Sequence, residues 1–265
     1  LPLPDIDGNF GLLLCAIAAK ADPFLSVHRS TLNKGLQSKQ QFGFYGVDLV
    51  SLQANIIPPA NGQKPQGSVV LLHGWGANLN DLAPLSRALN LPEYQFIFPD
   101  APFPHHDVPG GQMWYDLESE NYFGLAESRQ LLADWLKSLE IQTGVPLSRT
   151  ILSGFSQGGA MILDVGVRIP VAALISMSGY LHAAPEPVGD RLPPILIMHG
   201  TQDPVVPLRA AHQARDMYQL LGASVKYHEF EMAHEICPQE ITLMRDFIYR
   251  VMSSSSAIDR TLNKP

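Results

Sequence analysis

Charge is scarce in this chain: 16% of its 265 residues are charged, with 18 Lys and Arg set against 25 Asp and Glu for a net charge of −7. The basic residues form no run that could neutralise a string of phosphates, so nucleic acid is not an expected partner. Cysteine is scarcer still. There are 2, Cys15 and Cys237, too few for a disulfide framework, and neither stands in a CxxC or Cys/His zinc spacing. A reducing, cytoplasmic location is the expectation. Long apolar runs are also missing. Near the start the longest covers residues 10–19, well short of the roughly 18 that a membrane span needs, so no stable membrane insertion is expected. A secretory signal requires a basic segment ahead of its apolar stretch, whereas Asp5 and Asp7 precede this one. Leu12-Leu13-Leu14-Cys15 has the outline of a lipoprotein cleavage box but lacks the same basic lead.

What the chain does have is apolar content, 46% of its residues, which suits a well-buried globular core and excludes disorder for the bulk. Its length favours one large core over two ordinary ones. Residues 1–41 lack sustained periodicity and read as a flexible N-terminal extension. The folded domain is expected at 42–252. Four consecutive serines at 253–256 end the last apolar pattern, so 253–265 reads as a flexible C-terminal tail.

Within the domain, short apolar runs alternate with longer amphipathic stretches, the order of βα units around a mostly parallel sheet with helices on both faces. Buried strands are expected at 69–72, 95–98, 150–152, 173–177, 195–198 and 224–230, and helices at about 79–90, 124–142, 157–168, 207–221 and 238–252. Residues 49–57 are expected to form a hairpin arm paired with 69–72, because Pro58-Pro59-Ala60-Asn61-Gly62 between them is dense in turn formers. Trp135 falls in helical register with Leu131, Leu132 and Leu139, which reads as core packing.

Gly154-Phe155-Ser156-Gln157-Gly158 is a GxSxG pentapeptide entered by an apolar strand pattern and left by a helical one. That context places Ser156 on a sharp strand-to-helix turn, exposed as a nucleophile. A serine hydroxyl is a poor nucleophile at neutral pH and needs a His as general base and a carboxylate to orient it. In this arrangement the partners follow in the order acid, then His, on loops after later strands. Asp203, after the strand at 195–198, and His234, after the strand at 224–230, fill those places. An oxyanion intermediate needs backbone N–H donors. Gln157, directly after the nucleophile, supplies one. His73-Gly74-Trp75-Gly76, after the strand at 69–72, supplies the second through Trp75.

The remaining histidines read as structural or solvated. His73 and His199 each open a His-Gly step at a strand end, where shaping a turn or bonding backbone is the commoner duty. His105-His106-Asp107 has metal-ligand residue types but no third ligand at a recognisable spacing, so it reads as a polar loop, and no metal or cofactor is expected. Trp114 is assigned to substrate binding, on a wall of the cleft, with core packing as the alternative because Trp is often largely buried.

Taken together, Leu72-His73-Gly74-Trp75-Gly76, Met113-Trp114-Tyr115-Asp116, Gly154-Phe155-Ser156-Gln157-Gly158-Gly159-Ala160, Ser178-Gly179, His199-Gly200 leading to Asp203-Pro204-Val205-Val206-Pro207, and His234 resemble, in order and spacing, the phospholipase/carboxylesterase family. That family includes acyl-protein thioesterases and small bacterial carboxylesterases. The resemblance covers roughly 49–250. It implies an α/β-hydrolase fold with little or no cap, and an esterase or thioesterase that takes a small-molecule ester or thioester substrate without metal or cofactor. Ser156, Asp203 and His234 take the triad roles in it. Glu235 after the His, Trp75 in place of a frequent Leu, and the N-terminal extension depart from the family pattern and bear on substrate detail. Two other readings stay open: a non-catalytic relative that uses the pocket for recognition, and peptidase or lactonase chemistry on the same triad, since pocket walls decide the leaving group.

Overall fold

The computed structural model describes residues 52–189 and 191–262, with the side chains of the last helix followed as far as Ser253. The expected extension at 1–41 and the start of the expected arm at 49–51 lie outside the described residues. The first half of the chain supplies β1 (Ala54–Ile57), β2 (Gly67–Leu72), a short helix α1 (Leu85–Ala88), β3 (Tyr94–Pro99), and the two-residue strands β4 (Phe103–Pro104) and β5 (Gln112–Met113). After these come α2 (Leu125–Thr143), β6 (Thr150–Phe155), α3 (Gln157–Val165), β7 (Ala173–Met177), β8 (Ile195–Gly200), α4 (Leu208–Leu220), β9 (Val225–Phe230) and α5 (Pro238–Leu262).

Seven strands form one sheet in the order β1-β3-β2-β6-β7-β8-β9. All neighbours are parallel except β1, which runs antiparallel to β3. Every residue of β2, β3, β6, β7 and β8 is buried, which is why these strands read as unbroken apolar runs rather than alternating ones. Alternation reappears in which layer each side chain joins. Val70, Leu72, Ile97, Leu152, Leu174 and Ile197 enter the layer shared with α2, α3 and α4. Val69, Leu71, Phe96, Phe98, Ile151, Ile175 and Met198 enter the opposite layer, under α1 and α5. Helices therefore cover both faces. Trp135 sits in the first layer beside Leu132, Leu136 and Leu139, as its register implied. No described helix is long and apolar enough to cross a membrane.

Three elements differ from expectation. The 54–57 strand does not pair with β2, which is central and bonded on both sides, by β3 and β6. It takes the free edge of β3 instead, from Ala54↔Pro99 to Ile57↔Phe96. The expected helix at 79–90 shrinks to α1. Before it, side chains capture the amides a helix would use: Asp81 bonds the N–H of Asn78, Asn78 that of Asn80, and Asp100 that of Leu79. Finally, α5 continues through the four serines to Leu262, so the break expected at 253 is absent. Serine costs a helix only a few tenths of a kcal/mol relative to good formers and does not stop one already growing.

The first turn of α5 holds a buried acid. Glu240 Oε2 accepts the N–H of Cys237 at 3.1 Å, the reach-back half of a capping box. Its Oε1 is buried without a partner. Burial, reinforced by Glu235 and opposed by the Cys237 N–H, pushes the carboxyl up to about 8. The folded protein therefore keeps this proton while the unfolded chain, with an ordinary Glu, loses it near 4.5. Stability from this group is full below about 4.5 and drains away as pH rises toward about 8. Glu240→Gln keeps the acceptor and removes the titration. The melting temperatures of the two proteins should be close at pH 4.5 and separate steadily by pH 8 in favour of the glutamine variant; parallel curves would contradict the account.

Candidate active site

Ser156 joins β6 to α3 with φ 54° and ψ −118°, a backbone region costly for any residue with a Cβ. Close packing holds it there. A Cβ on Gly154 would lie 2.3 Å from the Gly158 carbonyl oxygen, and one on Gly158 would lie 2.3 Å from that of Leu72. Only glycine lets β6, α3 and the end of β2 approach this closely. The Ser156 N–H bonds the Met177 carbonyl at 2.9 Å, tying the turn to β7.

Asp203 and His234 converge from the loops after β8 and β9. The imidazole Nδ1–H donates to Asp203 Oδ2 at 2.7 Å, and both side chains are buried. The other carboxylate oxygen, Oδ1, accepts the N–H groups of Val205 at 2.9 Å and Val206 at 2.8 Å. Burial alone would raise the Asp203 pKa. The His234 bond, its charge and the two amides outweigh that and hold the carboxyl below the ordinary range, so it stays ionised at neutral pH. His199, at the end of β8, is kept neutral by burial; its Nε2 donates to the Val206 carbonyl at 2.8 Å and fixes the loop that carries Asp203.

With Nδ1–H committed to Asp203, the lone pair of His234 falls on Nε2, the atom a general base needs. Nε2 has no hydrogen-bond partner among the described residues, so its bond to Ser156 Oγ is not formed in this structure; such contacts commonly tighten when substrate binds. The Phe155 ring packs against the imidazole at 4.8 Å between centroids. A second Asp–His pair, Asp164 with His182 at 3.3 Å, ends on the Tyr115 hydroxyl. Burial pushes that phenol well above its usual pKa, so it stays protonated at neutral pH.

Peptide geometry orients the amides expected to serve as oxyanion donors. His73 accepts the Ala101 N–H at Nε2, 3.0 Å, so its proton is on Nδ1, which bonds the Gly74 carbonyl at 2.7 Å. That carbonyl and the Trp75 N–H belong to one planar trans peptide and point in opposite directions. Pinning the carbonyl turns the N–H the other way, and it makes no hydrogen bond with described residues. The loop stands against the nucleophile: a Cβ on Gly74 would be 3.4 Å from Ser156 Cβ. Gly76 cannot substitute as donor, because its N–H is given to the Gln112 carbonyl at 2.9 Å. The Gln157 N–H, at the first position of α3, has no intrahelical acceptor and complements Trp75.

Trp114 is not on a cleft wall. It is 0% exposed, and its indole N–H donates to the His73 carbonyl at 3.1 Å. The Gln157 side chain closes this circuit, accepting the Trp114 N–H at 2.9 Å and donating to the Tyr115 carbonyl at 2.7 Å. Trp114 therefore holds the 73–76 loop from behind, where its N–H finds a buried partner. Trp114→Phe strands that carbonyl, and a loss of about 1–3 kcal/mol in stability is expected. With the Trp75 N–H less firmly aimed, kcat should fall by about tenfold while KM holds; a rise in KM alone would return Trp114 to substrate contact.

The sheet thus carries, on the loops after β6, β8 and β9, a serine on a strained strand-to-helix turn and an imidazole oriented by an ionised carboxylate, on the scaffold of an α/β-hydrolase. The model of the Phospholipase/Carboxylesterase family matches residues 53–252, and the chain belongs to that family of hydrolytic enzymes. It is 31% identical over 200 residues to acyl-protein thioesterase 1 of Neurospora crassa, an alignment covering 66% of this chain and 80% of that one. Among solved structures, esterase PE8 is 30% identical with a TM-score of 0.69, over 76% of this chain and 100% of the other. Acyl-protein thioesterase 2 of Zea mays, at 22% identity and a TM-score of 0.62 over 76% of this chain and 99% of its own, shares the fold.

Proposed function

We propose that this enzyme cleaves carboxylic esters and acyl thioesters through an acyl-enzyme on Ser156. The observation that carries the reading is the 2.7 Å bond from His234 Nδ1 to an ionised Asp203, which leaves Nε2 as a base on the imidazole that follows β9. His234 Nε2 takes the Ser156 proton as Oγ attacks the acyl carbon. The Trp75 and Gln157 amides stabilise the tetrahedral oxyanion. The same imidazole then protonates the leaving alcohol or thiol. Water, deprotonated by His234, attacks the acyl-serine and releases the acid.

The acyl-protein thioesterase relatives support the thioester half of this reading, since a triad that cleaves the oxygen ester cleaves the weaker sulfur bond by the same steps. A chain-length series of p-nitrophenyl esters, run beside a palmitoyl thioester of a cysteine peptide, tests it. Turnover of both classes is expected. Ester turnover with the thioester untouched would restrict the enzyme to oxygen esters, and turnover of neither would leave the fold serving recognition.

A further inference from the structure

The loop that carries Asp203 is held in two ways along its length. Its first half is tied by backbone to the segment that leads to His234: the Thr201 N–H bonds the Phe230 carbonyl at 2.8 Å and the Gln202 N–H bonds the Met232 carbonyl at 3.1 Å. In its second half the N–H groups of Val205 and Val206 are spent on the Asp203 carboxylate itself. There the tie to the sheet is a side chain. His199, in β8, gives its Nε2–H to the Val206 carbonyl at 2.8 Å. Val206 is thus gripped at both polar groups, its carbonyl by His199 and its N–H by Asp203 Oδ1.

The same ring also reaches the acid directly. His199 Nε2 lies 3.5 Å from Asp203 Oδ2, the oxygen that takes the His234 Nδ1–H at 2.7 Å. At that separation the contact is a dipole beside a charge rather than a hydrogen bond. Both side chains are 0% exposed, so little water screens it, and the positive end of the N–H dipole favours the ionised carboxylate. Neutrality of the ring is essential to this arrangement. An imidazolium would pair with Oδ2 and compete with His234 for it. His199 Nδ1 is buried without a hydrogen-bond partner among the described residues, so a second proton there would find no acceptor, and burial holds the pKa of the ring down.

We propose, on the roles given above to Ser156, Asp203 and His234, that His199 is a positioning residue for the acid. It is a neutral second imidazole that grips Val206, and through it the Asp203 carboxylate, so that Oδ2 stays aimed at His234 Nδ1. Without the His199 donor the Val206 carbonyl is released, the amide on Oδ1 loses its anchor, and the carboxylate can turn away from the base. Substrate binding is untouched by that movement, whereas proton transfer through His234 depends on it.

Three substitutions in the full chain separate the donor from the bulk of the ring. His199→Met fills the space without a donor, His199→Asn carries an amide too short to reach Val206, and His199→Gln sets an amide N–H the same number of bonds from Cα as Nε2. Turnover per reactive serine, counted by fluorophosphonate titration, should fall about tenfold or more in His199→Met with KM unchanged, since small misplacements of a reacting group cost up to about 10²-fold. His199→Gln should recover most of that loss. A second readout needs no substrate. The proton between His234 Nδ1 and Asp203 should give a low-field NMR resonance, identified by its loss in Asp203→Asn, that shifts or broadens in His199→Met and returns in His199→Gln. A ring that only filled the core would change stability and leave both readouts alone. If His199→Met does not fold, His199→Asn takes its place with the same expected losses. Turnover and resonance unchanged in a folded Met or Asn variant, or losses that Gln does not restore, overturn the proposal. A parent protein inert toward esters and thioesters would count against the proposed function instead, and the resonance would still decide the role of His199.

Discussion

Replacing Ser156 with alanine is expected to abolish ester turnover and to leave the melting temperature near that of the parent protein. The attacking atom is lost, and neither His234 nor the amides can form an acyl-enzyme without it; removal of a triad nucleophile costs about 10⁶ in kcat. Stability is spared because the Ser156 hydroxyl makes no hydrogen bond with the described residues, whereas the backbone groups of that residue do the structural tying, N–H to Met177 and carbonyl to Ala160. Alanine keeps both bonds and the same Cβ at φ 54°. Fluorophosphonate labelling should disappear with activity. Labelling that persists in a folded Ser156→Ala protein would place the nucleophile on another serine.

The second large effect is expected at Trp75, where side chain and backbone separate. Trp75→Leu retains the N–H and should hold kcat within about an order of magnitude, any change falling on KM. Trp75→Pro deletes the N–H, and losing one oxyanion donor typically costs about 10²–10³ in kcat. The neighbouring amide offers no rescue, since Gly76 N–H is bonded to Gln112. Proline also restrains Gly74, so the near-ultraviolet spectrum and melting temperature must show a folded variant. A folded Trp75→Pro enzyme with near-parental turnover would move the second donor off this loop.

The residues proposed as nucleophile, acid and base could be picked out from the sequence because each signal is local: a strand run, a turn, then one reactive residue. GxSxG at 154–158, Asp203 after β8 and His234 after β9 all lie where such loops were expected. Properties set by distant neighbours were not legible. Which edge of the sheet β1 would join depended on β2 being saturated by β3 and β6. That Trp114 would turn inward depended on a carbonyl 41 positions earlier, at His73. Glu240 looked like any first-turn acid, and only its burial makes it a neutral one.

The contacts around Gly154 and Gly158 bear on how such a gene would decay. Those glycines are demanded by packing: any side chain at either position would collide with backbone of α3 or β2 whatever the reaction. Selection for folding alone would preserve them. The serine between them answers to no such demand. A descendant that had lost its chemistry would thus be expected to keep both glycines, and the spacing by which the motif is recognised, long after the residue at 156 began to drift. The frame of the motif follows from packing, and the hydroxyl inside it answers to the chemistry proposed for Ser156.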